Sequence, residues 1–349
     1  MITIKNVRTL SGKIEDVDVE GITNEVIDAE GKLTRLPGLI DAHVDFGIPG
    51  FEDLEDWKSG AQAAIAGGVT TVFDMPDNIP PCVDLITLHE KKKLIDAQLA
   101  SIQIPLRYKL YIGARKDHLE DLTLAKSEVI AIKISMDSQN NDGEAILERI
   151  FQIGAQNNIM IAVSGETERS ISIAEKYGSQ VYILNVKSIK QLELIRKAKQ
   201  RQLLVFAETS PYHLFHKDED FKGNKEALWK AIQDGTIDSI GSHHTPHVIK
   251  EKNKDYEGSG IETMLPLLLN AVNEGKLTLE QVVHLTRINL EYIYTIDRNK
   301  DIVLVDMNLS KEVQNKTLKT KCGNSRYAGQ ILKGWPVYTI LKGRIYKIS

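Results

Sequence analysis

The side chains of this sequence best placed to do chemistry sit at the ends of short apolar runs. His43 and Asp45 close the run LPGLIDAHVDF, Lys133 interrupts VIAIKIS, and His243 and His244 follow IDSIGS. Imidazole and carboxylate groups are zinc ligands. Zinc takes about four ligands, and a hydrolytic site leaves one position open for water. His43, Asp45 and His243 could together hold one metal ion. Two ions would need more donors, and Ser164 and Asn185, at the ends of two further runs, offer neither charge nor imidazole. His247 follows Pro246 and extends the histidine cluster into a turn, where His243 is the member best placed for a metal. Lys133 poses a separate problem. A buried ammonium is costly unless it is paired, so Lys133 needs either carboxylation and metal or a carboxylate neighbour. Asp45 is the expected neighbour, directly or through one water.

The elements that must position these groups can be read from periodicity. β-Branched runs span 36–46, 69–75, 106–112, 129–135, 159–164, 181–186, 203–208 and 237–242. The runs lack strict alternation, as expected for strands buried on both faces. Between them lie segments of helical period. DLEDWKSGAQAAIAGG has acids at its start and Gly67-Gly68 at its end, and 188–200 places Leu192, Ile195 and Ala198 on one face. Eight strands, each followed by a mostly helical connection, predict an α/β fold of (β/α)8 TIM-barrel type, with chemistry at the C-terminal strand ends. Residues 1–36 and 301–349 read as short strands and are expected to form one small β module built from both termini, leaving 37–300 as the barrel.

Composition narrows the function classes. The chain has 349 residues, enough for a barrel of about 250 residues and a small module. Net charge is -4, which argues against a nucleic-acid surface. The Lys-rich stretch HEKKKL (89–94) reads as an exposed helix face, and the acidic EDLEDW as a solvated helix start. No apolar run reaches membrane-spanning length. MITIKNVRTL lacks a signal-peptide core. The two cysteines, Cys82 and Cys322, form no CxxC motif and are expected to be chemically silent. These features point to the cytoplasm.

The stretches PGLIDAHVDFGIPG, GGVTTVFDMPDNIPP, IKIS, TIDSIGSHHTPH, GIETMLPLLL and NSRYAG, taken in order, resemble the dihydroorotases. These belong with the hydantoinases to the cyclic amidohydrolases of the amidohydrolase superfamily. The resemblance runs over essentially the whole chain. It implies a metal-dependent barrel that opens and closes the ring of dihydroorotate in pyrimidine synthesis.

The same resemblance locates the departures. The family's strand-1 His-x-His pair reads His43-Val44-Asp45. Its carboxylated, zinc-bridging lysine falls on Lys133. Its strand-5 and strand-6 histidines fall on Ser164 and near Asn185. Its aspartate base falls on His243, and a ligating imidazole has no spare lone pair for a water proton. Substrate-binding positions fall on Asp77, where the family has asparagine, on the retained His244, and on Gly47 in place of an arginine. The expectation is therefore a degenerate site with no cofactor, or at most one zinc ion. The chain would act by binding, with aspartate transcarbamoylase as the leading partner, a small cyclic amide as a conceivable ligand, and assembly as a homo-oligomer. The alternative is an active cyclic amidohydrolase with a rebuilt mononuclear site.

Overall fold

The computed structural model describes residues 1–136, 143–215, 222–246 and 258–348. Its strands are β1 (Ile2–Arg8), β2 (Ile14–Val19), β3 (Glu25–Asp28), β4 (Leu33–Pro37), β5 (Leu39–Val44), β6 (Val69–Asp74), β7 (Arg107–Gly113), β8 (Ala131–Ser135), β9 (Met160–Ser164), β10 (Val181–Ile183), β11 (Val205–Thr209), β12 (Ser239–Ile240), β13 (Ile302–Glu312), β14 (Ile331–Leu341) and β15 (Arg344–Lys347). The helices used below are α1 (Trp57–Ala66), α2 (Leu85–Ile102), α3 (Leu119–Leu124) and α4 (Gly143–Asn157).

Strands β5 to β12 form one eight-stranded parallel sheet in chain order. Each expected barrel run overlaps one of these strands, with β7 and β11 each ending one residue beyond the run. The first run is divided: its opening residues Leu36 and Pro37 belong to β4, which pairs with β13 in the other sheet. The sheet curls until its edges meet at a seam. There Val44 bridges His244, Asp45 N–H donates to His244 O at 2.9 Å, and His244 N–H to His43 O at 3.3 Å. Side chains alternate between two cores. Ile40, Ala42, Phe73, Tyr111 and Tyr182 fill the barrel, and Leu39, Val72, Ile112, Ile132 and Val163 meet the helices. Every residue of β5 and β6 is buried, which accounts for the missing alternation in the sequence.

The remaining strands form a seven-stranded sheet in the order β15-β14-β13-β4-β1-β2, with β3 beside β1. Both chain ends therefore contribute to one sheet, and its inner face carries Ile2, Ile4, Leu304 and Ile340. Helix α1 starts at Asp56, whose carboxylate accepts from the N–H groups of Lys58 and Ser59, and ends at Gly67. Gly68 follows at φ +75°, where a Cβ would lie 2.9 Å from both Leu265 and Val303. Among the described residues no helix is long and apolar enough to cross a membrane. Cys82 and Cys322 are both free thiols, and burial pushes Cys82 up to about 11.

The segment around Thr320, between β13 and β14, is sewn to the barrel by two carboxylates. Glu262 accepts from the N–H groups of Lys319 and Thr320 at 2.7 and 3.0 Å. Glu55 accepts from the Thr320 hydroxyl and from Lys321 N–H. Burial pushes Glu262 up to about 7, against the pull of those two N–H donors. Its folded pKa is above the unfolded value, so its contribution is fully present below about pH 4.5 and is lost as pH rises through about 7. Glu262→Gln keeps an acceptor for both N–H groups and cannot ionise. It should therefore be more stable than wild type at pH 8 and no more stable at pH 5. Thermal melts of the two proteins across that range check this, and parallel curves would refute it.

Candidate functional site

The strand ends of the barrel gather His43, Asp45, Lys133, His243 and His244 around one mouth, but the groups are engaged differently from the sequence expectation. His43 Nδ1 lies 2.7 Å from Glu208 Oε1, and both residues are buried. Glu208 also accepts from the Tyr182 hydroxyl at 3.1 Å. The His243 ring meets His43 edge-on at 4.3 Å, and His243 itself takes a left-handed backbone at φ +50°. Asp41, fully buried, accepts from the N–H groups of His43 and Ser242 at 3.2 and 2.9 Å and so stitches the seam a second time. Burial pushes it up to about 6.

Lys133 corrects one expectation. Its ammonium lies 3.7 Å from Asp77 Oδ2, so its counter-charge comes from the turn after β6 and not from Asp45. Asp45 instead takes the N–H of Gly47 at 3.0 Å. It is pushed up to about 7, first by burial and then by the neighbouring charge of Asp74. Asp74 in turn pairs with Lys91 at 2.5 Å in a fully buried ion pair. His244 has no exposed surface. Its Nε2 lies 3.3 Å from Glu55 Oε2, and its ring packs against Phe46. Its ring nitrogen thus faces Glu55, just before the start of α1.

Ser164 and Asn185 are also engaged in other contacts. Ser164 ends β9, and its carbonyl accepts from Met136 N–H. Asn185, at φ +55°, accepts from His213 Nε2–H at 2.8 Å. His247 lies outside the described residues. Among the described residues no three His, Cys, Asp or Glu side chains converge as a metal-binding set. The donors present do not suit a zinc ion: one nitrogen of His43 is committed to Glu208, Lys133 faces Asp77, and Ser164 and Asn185 offer neither charge nor imidazole.

Four buried charged residues at this end of the barrel escaped the sequence reading. Lys91 lies within HEKKKL and Glu55 within EDLEDW, yet both are fully buried. Charge runs average out in a sequence: the phase of α2 turns Lys91 inward, and Glu55, just before α1, is buried by the contacts it makes with His244 and Thr320. Asp41 and Glu208 were more accessible to inference. Each is an acid inside an apolar barrel strand, the same signal that marked Lys133.

A cavity of about 830 Å³ opens beside Lys133. Its walls come from the ends of β7 and β8, the turn holding Asp77, and the α4 side chains Ile146, Leu147 and Ile150. His43, Asp45, His243 and His244 do not line it.

No protein-family model matches the sequence. The multifunctional protein CAD of Squalus acanthias is 30% identical over 344 residues, covering 91% of this chain, and the chain spans only 15% of that protein. A dihydroorotase of Endomicrobium trichonymphae is 28% identical over 406 residues, covering 99% of this chain and 94% of the enzyme. Among solved structures, the L-hydantoinase of Arthrobacter aurescens superposes with a TM-score of 0.88 at 22% identity, covering 99% of this chain and 95% of its own. The inactive dihydroorotase-like domain of a CAD-like multifunctional protein from Chaetomium thermophilum superposes at 0.76 with 22% identity, covering 90% and 94%. The chain is thus similar over nearly its whole length to dihydroorotases, and its barrel has the fold of a hydantoinase.

Proposed function

We propose that this protein is a catalytically impaired member of the dihydroorotase family in pyrimidine biosynthesis, working in the cytoplasm by binding, with aspartate transcarbamoylase as its partner. The observation that carries this reading is the commitment of the ancestral ligand positions to internal contacts, above all His43 to Glu208 at 2.7 Å and Lys133 to Asp77. Ring hydrolysis of the family type needs a metal pair to generate hydroxide and polarise the amide carbonyl. The base position carries His243, whose ring meets His43 edge-on. Similarity to a region of a multifunctional protein, and to a domain described as inactive, fits a chain that serves within an assembly.

Protein purified free of any host enzyme should hydrolyse dihydroorotate at or below background at neutral pH, with or without added zinc. Loss of the base alone typically costs about 10²–10⁴-fold. The protein should carry far less than one equivalent of metal and should co-purify with the transcarbamoylase. Zinc-dependent turnover, with near-stoichiometric zinc, would establish instead an amidohydrolase with a rebuilt mononuclear site.

A further inference from the structure

We infer a second ligand site, for a nucleoside monophosphate, where helix α1 meets the terminal sheet and the segment around Thr320. It is independent of the functional reading above, because His43, Asp45, Lys133 and His243 do not border it. A cavity of about 810 Å³ opens there, a size typical of small-molecule pockets. Such pockets favour junctions between folded units, and this one lies between the barrel and the sheet built from both termini.

Three features of the lining set the chemistry. The first is an acceptor. Glu262 takes the N–H groups of Lys319 and Thr320 on Oε1, and among the described residues nothing donates to Oε2. Glu262 borders the cavity, so a ring N–H entering there can supply the missing donor. Burial holding this carboxyl at about 7 fits a group still short of donors. The second feature is a flat-walled apolar space. Ile65, Ile104, Val313 and Leu318 line it together with the rings of Trp335 and Tyr346, and a planar base buries its faces against such walls. The third is positive charge. Lys311, Lys319 and Lys347 border the cavity, and among the described residues none of them forms an ion pair. The Lys311 ammonium lies 5.9 Å from the centre of the Trp335 ring, which sets a cation beside the aromatic wall. The acids of the lining are Glu262 and Glu312, so the lysines hold a surplus of one charge, suited to one phosphate rather than three. An N–H donor, a planar body and a single phosphate are combined in a nucleoside monophosphate.

GMP is the probe, with guanosine as the same ring without the anion and ribose 5-phosphate as the anion without the ring. Calorimetric titration of the full chain should show GMP binding, with guanosine and ribose 5-phosphate each weaker by at least about tenfold. Glu262→Gln keeps the acceptor for Lys319 and Thr320 but replaces the free oxygen by an amide donor. It should weaken GMP by about tenfold or more. Lys311→Gln with Lys319→Gln should weaken GMP by about fivefold and leave guanosine unchanged. These lysines form no ion pair among the described residues, so this variant tests the site even if Glu262→Gln folds poorly. Absence of GMP binding, equal binding of guanosine or of ribose 5-phosphate, or unchanged GMP affinity in either variant would each overturn the inference.

Discussion

Lys91→Ala should destabilise the protein by about 3–5 kcal/mol, the usual cost of breaking a buried ion pair from one side. Lys91 leaves the middle of α2 and is fully buried. Its ammonium makes three contacts: the carbonyl of Met75 and Oδ1 of Asn78, both at 2.6 Å, and Asp74 Oδ2 at 2.5 Å. The other oxygen of Asp74 accepts from Phe46 N–H at 2.8 Å. One charge thus ties helix α2 to the end of β6, to the turn that carries Asp77, and through Asp74 to the end of β5. Burial pushes Asp74 above the ordinary carboxylate range, and Lys91 is the main force opposing that rise. Removing Lys91 leaves an acid with no counter-charge and a turn with two unmet acceptors. Lys91→Met with Asp74→Asn should recover more than half of the loss, because the orphaned charge is then gone. Denaturant melts of the three variants measure both effects, and an unshifted Lys91→Ala midpoint would refute the argument.

Glu55→Ala should cost a comparable amount and act at a distance along the chain. Glu55 is fully buried, and it accepts from His244 Nε2, the hydroxyls of Ser59 and Thr320, and Lys321 N–H. Burial pushes its pKa up, but the hydrogen bonds and the nearby His244 outweigh this and hold it below the usual carboxylate value. Its stabilisation is therefore present above about pH 4.5 and is lost as pH falls through the lower folded value. Glu262, holding the same segment, runs in the opposite sense. In Glu55→Ala, amide exchange at Thr320 and Lys321 should accelerate by at least about tenfold, the equivalent of about 1.4 kcal/mol of lost protection. Exchange unchanged at both amides would show that the segment is held by other contacts.

Much of the architecture was legible because barrel strands are buried on both faces and read as apolar runs with polar ends. The shortest strand, β12, was recoverable from the run IDSIGS even though only Ser239 and Ile240 keep strand pairing. Helix 188–200 was equally plain: Ser188 caps it in a capping box with Gln191, and Leu192, Ile195 and Ala198 are buried as their spacing required. The boundary between barrel and terminal sheet was less clear, since LPGLIDAHV is continuous in sequence but bends at Gly38 between two sheets. At the site, residue types told which positions had changed. Pairing did not follow from type. Lys133 had two acids within plausible reach, and the turn after β6, pinned by Lys91, decided for Asp77 over Asp45. No sequence period encodes that choice.

The pairing of β4 with β13 sets an order of events during synthesis. Pro37 lies opposite Ile302, so 265 residues separate partners in adjacent strands. At about 5–20 residues per second, a ribosome needs roughly 13–50 s to deliver β13 after β4 has emerged. Throughout that interval β4 presents an unpaired strand edge, flanked by the apolar side chains of β1, while the barrel strands appear one after another. Such an edge is a template for unwanted strand addition. Nascent chains of this protein should therefore depend on chaperone cover until near the end of translation, and truncation before residue 302 should promote aggregation through the exposed edge of β4.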